Sequence, residues 1–306
     1  MLGTDATSFM IKTRPKISRF TAIVAVVAAI SLSAASARAE LLFGLTTTNS
    51  LISFDSATPG TISAPIAITG IGAETIFDID FRPATQALYG LGSAGNLYII
   101  NRTTGVATLA SSLNVSLDST ATRFGIDFNP VPDRLRIVSS TGQNLRVDVS
   151  NGATTVDGAL NGADTRAVSV DYSNNDNDPA TGTSLFYIDS DGTDNTYTTS
   201  NPNGGTLTLV GALGVNTNDN VGFDISGFTG VAYATLTSPT GTGSGLYSIS
   251  LATGAATFIG AIGNGAVTLR GVAALTTPDT ASTMLLLGLA CAGLLVAHRR
   301  FAVRGA

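Results

Sequence analysis

IFDIDFRPATQALYGLGSAGNLYIINRTTGVATLASSL, residues 76–113, is the stretch that decides the fold. It reads as an apolar strand carrying Asp, a turn, a Leu-Tyr strand, a second Leu-Tyr strand, and a Thr/Gly turn into a fourth. The same order recurs in FGIDFNPVPDRLRIVSSTGQNLRVDVSNGATTVDGAL (124–160), more loosely over 168–213, and again over 221–263. The residue after the repeated Asp fixes the register: Phe81, Phe128, Tyr172 and Ile225 are 47, 44 and 53 residues apart. The turn before each last strand gives a second check, with TTGVAT, SNGATT, PNGGTLT and ATGAAT in sequence order. Four short strands over a period of about 50 residues is the size of a propeller blade.

Residues 41–68 fit the pattern from its second strand onward and lack the first. TLRGVAAL, residues 268–275, follows the fourth copy and has no blade of its own. Pairing it with the N-terminal strands closes a ring and removes two exposed sheet edges. The expected fold is therefore all-β, a five-bladed β-propeller whose first blade is closed by the C-terminal strand. A tandem β-sandwich is the competing architecture, because short strands with regular turns also fit it.

Residues outside the propeller, 1–39 and 276–306, differ from it in composition. Lys12, Arg14, Lys16 and Arg19 precede an apolar run, and Ala37 and Ala39 bracket a small-x-small site. This is the layout of a secretory signal peptide over residues 1–39, which implicates the Sec translocon and signal peptidase as partners. An uncleaved membrane helix is the alternative. At the other end come a polar linker (276–283), an apolar stretch (284–297) and a basic tail (298–306). The apolar stretch from Met284 to Ala297 has 14 residues, or 17 counted from Ala281, which stands at the lower limit of a spanning helix, about 17–25 residues. Arg299, Arg300 and Arg304 would hold the last residues in the cytoplasm.

The propeller region is chemically restricted. Over residues 40–275 there are 8 Arg, no Lys, 2 Glu and 17 Asp, a net charge of −11, which argues against nucleic acid as a partner. Cys291 and His298, each the only one of its kind, both lie in the tail. Ser-His-Asp and Cys-His nucleophiles, a His-ligated zinc and an internal disulfide are thus excluded from the propeller. Without Lys there is no Schiff-base amine either.

FGLTTTNSLISFDSATPGT, IDFRPATQALYGLGSAGNLYIIN, FGIDFNPVPDRLRIVSSTGQNLRVD and VGFDISG, taken in order, closely resemble the bacterial domain of unknown function 4394 family. The resemblance covers nearly all of residues 41–275. It implies an exported bacterial propeller with no assigned activity, and it brings no catalytic residues. The tail resembles a PEP-CTERM sorting signal of the kind processed by an exosortase. Its Pro278, Asp279 and Thr280 depart from Pro-Glu-Pro and stand closer to the VPDSGST variant, with Thr277 and Ala281 replacing its Val and Gly. That likeness implies processing near Pro278, transient anchoring in the inner membrane and delivery to the cell surface or beyond.

Within the propeller, Asp80, Asp127, Asp171 and Asp224 occupy one place in four copies, with Val272 in the fifth. They read either as an acidic ring about the central channel that binds a cation or polar ligand, or as Asx turns capping amides two residues on. Asp189, Asp191 and Asp194 around Gly192 suggest a Ca²⁺ loop, with Asp176 and Asp178 close enough in sequence to join it. Polar surface turns give the same pattern. Arg82, Arg134, Arg136 and Arg146 fall in blades two and three, either as surface ion pairs or as a patch for an acidic glycan. Taken together, these features predict a non-catalytic binding or structural module with an extracellular polysaccharide as partner. An Asp-based carbohydrate-active enzyme is the alternative, and it rests on fold analogy alone.

Overall fold

The structure, a computed structural model, describes residues 39–175 and 180–275. The first blade opens with β1 (Leu41–Thr46), β2 (Ser50–Asp55) and β3 (Ile66–Ala67). The second is β4 (Ile76–Arg82), β5 (Ala87–Gly92), β6 (Asn96–Ile100) and β7 (Ala107–Ser112). The third is β8 (Phe124–Asn129), β9 (Arg134–Ser139), β10 (Asn144–Asp148) and β11 (Ala153–Val156). The fourth comprises β13 (Ser169–Tyr172), β14 (Leu185–Ile188), β15 (Asn195–Thr199) and β16 (Thr206–Ala212), and a short β12 (Asn161–Gly162) runs parallel to its outer edge. The fifth is β17 (Gly222–Ile225), β18 (Ala232–Thr237), β19 (Ser244–Ile249) and β20 (Ala256–Ala261). The last strand, β21 (Leu269–Ala274), returns to pair antiparallel with β1. The expected five sheets and shared first blade are present.

The five innermost strands neighbour one another in the cyclic order β21, β4, β8, β13, β17, so the ring is closed. Hydrophobic packing occurs in the seams between blades. In β5, alternation sends Leu88 to the seam with blade one and Tyr89 and Leu91 to the seam with blade three. In β14, Leu185 and Tyr187 face blade three while Phe186 and Ile188 face blade five. Both faces of a blade are thus buried, which is why these strands read as nearly continuous apolar runs.

A second set of seam contacts lies at the periphery and explains the repeated Thr/Gly turn. Gly105, Gly152, Gly205 and Gly254 all have φ between 71° and 78°, where L side chains are strained. Each turn also lies against the backbone leaving the last strand of the preceding blade. A Cβ at Gly152 would come within 2.8 Å of the Ser112 carbonyl carbon and closer still to its oxygen. Cross-blade hydrogen bonds join the same segments: Thr69 N to Gly105 O (3.0 Å), Asn161 N to Gly205 O (2.9 Å) and Ala256 N to Leu213 O (2.9 Å).

Residues 1–38 and 276–306 lie outside the described residues, and with them the signal helix, Ala37, the sorting motif at Pro278, Asp279 and Thr280, and the membrane segment. Ala39, the first described residue, is exposed. No α-helix occurs among the described residues; one 3₁₀ turn spans Ile262–Gly265.

Candidate functional site

The repeated Asp residues do not form Asx turns. Each reaches instead into the next blade and accepts a backbone amide from its innermost strand. Asp80 Oδ2 accepts Phe128 N at 2.8 Å, Asp127 Oδ2 accepts Tyr172 N at 2.7 Å, and Asp224 Oδ2 accepts Ala274 N at 2.9 Å. Asp171 is likewise lowered by the Ile225 amide, against a larger upward push from burial. The inner edge of a propeller sheet has amides with no strand beside them, and a buried unpaired amide is costly. The carboxylates satisfy that edge.

These bonds also correct the register of the closing strand. Asp224 clasps Ala274 as Asp80 clasps Phe128, and Ala273 pairs with Phe43 as Asp80 pairs with Tyr89. The fifth copy's equivalent of the Asp is therefore Ala273, and Val272 belongs to the hydrophobic seam between blades five and one. The sequence reading was misaligned by one because β21 contains no Asp to anchor it.

Above this layer lies a narrower one of Asp78, Gly125, Ser169, Gly222 and Gly271, each two residues earlier on its strand. Here the strands nearly touch: a Cβ on Gly125 would meet Ser169 Cα at 2.6 Å, and one on Gly271 would collide with Asp78 Oδ1. Asp78 Oδ2 accepts Ile126 N at 3.1 Å, and its Oδ1 lies 3.5 Å from the Arg123 guanidinium. Arg123, which sequence reading missed, crosses this end of the channel. Its guanidinium donates to the carbonyls of Phe77, Val221 and Arg270, so one side chain of blade three holds blades two, five and one. The only sequence signal for it is an Arg one residue before an apolar Asp-bearing strand.

All five carboxyls are fully buried, and burial is the largest influence on each. It pushes Asp78 up to about 7 against the attraction of Arg123, and Asp80 up to about 6. Asp127, Asp171 and Asp224 are raised well above the ordinary carboxylate range, by burial first and then by the charges of the other ring carboxyls. Asp127 feels Asp224, and Asp171 feels Asp80, although neither pair is on adjacent blades; all four carboxyls are carried by the innermost strands of the closed ring.

The arginines are placed differently. Arg82 pairs with Asp133 and stands apart. Arg134, Arg136 and Arg146 line a cavity of about 290 Å³ between blades three and four, together with Asn129, Tyr172 and Asn203. Arg136 is buried and donates to Tyr172 Oη (3.2 Å), Asn144 Oδ1 (2.7 Å), Asp157 Oδ2 (2.7 Å) and Asn203 Oδ1 (2.9 Å). Arg146 grips Asp157 with both arms at 2.6 and 2.9 Å, and Arg134 meets Asp148 at 3.2 Å. Three guanidinium groups thus face two carboxylates, which leaves the cavity with one cation in excess.

The residues expected to hold calcium do not converge as a set. Asp189 and Asp191 come together with Asp164, a residue that sequence reading did not include, and the ligand atoms of this trio lie within 4.8 Å of one another. Asp194 is turned elsewhere, capping Gly192 N at 2.9 Å and Thr217 N. Tyr197 Oη donates to Asp189 (2.8 Å) and Asp164 (2.9 Å), Asn195 N to Asp189 (2.6 Å), and Arg166 N to Asp164 (3.0 Å). The trio therefore already braces its loops. Asp176 and Asp178 lie outside the described residues.

Five closed blades, an inner ring of amide-binding carboxyls and no helical layer among the described residues define a five-bladed β-propeller domain. The chain belongs to the family described as Domain of unknown function (DUF4394), whose profile matches residues 50–273. No curated protein matches it. Among solved structures it is similar to a chain of the nidogen/laminin complex, at 11% identity and a TM-score of 0.49, covering 78% of this chain and 100% of that one. It is similar also to a protein of unknown function from Bacteroides thetaiotaomicron, at 14% identity and a TM-score of 0.44, covering 73% and 58%. Kuenenia stuttgartiensis hydrazine synthase matches at 13% identity and a TM-score of 0.40, covering 62% of this chain and 51% of that one.

Proposed function

We propose that this chain is an exported bacterial cell-surface or extracellular-matrix propeller, a non-catalytic module that binds an acidic group of an extracellular polysaccharide between blades three and four. One observation carries the reading: a cavity with three arginines and an unbalanced positive charge, in a region whose net charge is −11. Guanidinium forks suit carboxylate and sulfate oxygens, and the partly exposed Arg134 and Arg146, each already paired with a carboxylate, keep further N–H donors for a ligand. The Asp chemistry supports binding over hydrolysis, because the repeated carboxyls are committed to backbone amides inside the blade stack. The basic and apolar segments at the two ends support export by the Sec route and sorting by an exosortase-like enzyme.

A glycan array of uronic-acid, sulfated and neutral polysaccharides, read for both binding and released product, tests this. Binding of acidic glycans alone, weakened by Arg146→Ala and by salt, is expected. Equal binding of neutral glycans, or product formation, would overturn it.

A further inference from the structure

The clasp uses only half of each ring carboxyl. Oδ2 of Asp80, Asp127 and Asp224 takes an amide of the next blade, while Oδ1 of all four ring residues is buried without a hydrogen-bond partner. Ser169 Oγ, from the layer above and on the same strand face as Asp171, is likewise buried and unpartnered. So is Glu40 Oε2, whose other oxygen accepts Ser226 Oγ at 2.5 Å.

Acceptors outnumber donors in this cluster: five carboxylate oxygens stand against the Ser169 hydroxyl, the buried and unpartnered Nε of Arg123, and one hydrogen bond that Asp80 and Asp127 share. The nearest cation, Arg123, pairs with Asp78 and donates to the carbonyls of Phe77, Val221 and Arg270. Native interiors do not leave several carboxylate oxygens buried and unmatched, because the cost of each is large. A hard cation answers that need, since it takes oxygen ligands and the charge of several carboxylates.

We propose that the axial ring of Asp80, Asp127, Asp171 and Asp224 binds one divalent hard cation, Ca²⁺ or Mg²⁺, which joins the blades electrostatically at the centre of the propeller. Among the described residues only Asp164, Asp189 and Asp191 have three ligand atoms all within 4.8 Å of one another, so an ion in the wider ring keeps part of its water. Retained water is the habit of Mg²⁺ in particular. Arg123 and the glycine layer close one end of the channel.

The test uses the purified full chain, dialysed into metal-free neutral buffer and analysed for Ca and Mg. Thermal unfolding is then followed with EDTA, CaCl₂ or MgCl₂. One equivalent of a single ion per chain is expected, with a midpoint lowered by EDTA and restored by that ion. Asp171→Asn and Asp224→Asn keep an acceptor for the clasped amide but remove charge, and each should lose the ion. Asp191→Asn should keep it. No retained ion together with a midpoint indifferent to both salts would overturn the proposal. Loss of the ion in Asp191→Asn but not in the ring variants would also overturn it, by placing the ion at the loop trio. If neither ring variant folds, the ion count of the wild-type chain and of Asp191→Asn decides.

Discussion

Replacing Gly152 by Ala tests whether the peripheral turns lock neighbouring blades together. Gly214 supplies an internal control, because its φ of 76° nearly equals the 77° of Gly152, yet a Cβ on it would meet nothing within 4 Å. The left-handed backbone costs both variants about 1–2 kcal/mol. Reduced freedom of the unfolded chain returns about 0.4–1 kcal/mol, so Gly214→Ala should lose about 1 kcal/mol. Gly152→Ala carries an added term. Its Cβ would overlap the Ser112 carbonyl, and the turn must move away from blade two. That movement breaks Asn114 N to Gly152 O (3.4 Å), Thr154 N to Asn114 Oδ1 (2.9 Å) and Ser111 Oγ to Val149 O (3.0 Å). At about 1 kcal/mol for each bond, the total approaches 3–4 kcal/mol. For a domain of this size 1 kcal/mol corresponds to about 2–4 °C, so the expected falls in Tm are about 10 °C for Gly152→Ala and about 3 °C for Gly214→Ala. Circular dichroism melts of the two variants side by side measure the difference. Equal falls would refute the interlock and leave only backbone strain.

Three further outcomes follow, two from contacts elsewhere in the propeller and one from the proposed sorting. Asp127→Ala strands the buried Tyr172 amide and should cost about 1–3 kcal/mol in urea unfolding, while Asp127→Asn, which keeps an acceptor, should cost less. Glu74 accepts Ala94 N (2.8 Å), Asn96 Nδ2 (2.6 Å) and Tyr98 Oη (2.6 Å), and these bonds outweigh the opposing desolvation to hold its carboxyl below its ordinary 4.5. Its stabilisation is complete above pH 4.5 and lost as pH falls through the lowered value, so Glu74→Gln should flatten that part of the acid-unfolding curve. The proposed export and sorting predict that mass spectrometry of material outside the cell shows a chain ending near residue 278, and that Pro278→Ala with Asp279→Ala leaves the tail attached.

Periodic features of the sequence were legible in advance. The spacing of Phe81, Phe128, Tyr172 and Ile225 and the recurring Thr/Gly turns count the blades, because each reflects a contact made once per blade. The role of the repeated Asp was not legible, because its amide partner lies 45–50 residues away on another sheet. A local pattern can suggest an Asx turn but not a clasp across a seam. Arg123 was missed for the same reason, since its three carbonyl partners come from three other blades. Asp164 joins Asp189 and Asp191 only because Tyr197 and the path after β12 bring the two loops together. The arginine cavity was half visible: three of the four predicted residues line it, but the carboxylates that set its net charge come from their own sheet and its neighbouring turns.

The pairing of β21 with β1 also sets an order of events. A chain that emerges N-terminus first holds β1 with its inner edge bare until residues 269–274 arrive, and Ala274 N is then the last of the clasped amides to find its carboxylate. Closure is therefore a terminal step of biosynthesis: a chain stopped short of Leu269 lacks both the sheet edge and the axial contact that complete the circle. Once closed, Leu275 N rests on Leu41 O at 3.2 Å, so the entrance and exit of the polypeptide lie side by side. A circular permutant that joins them and opens one of the polar turns elsewhere would preserve every blade.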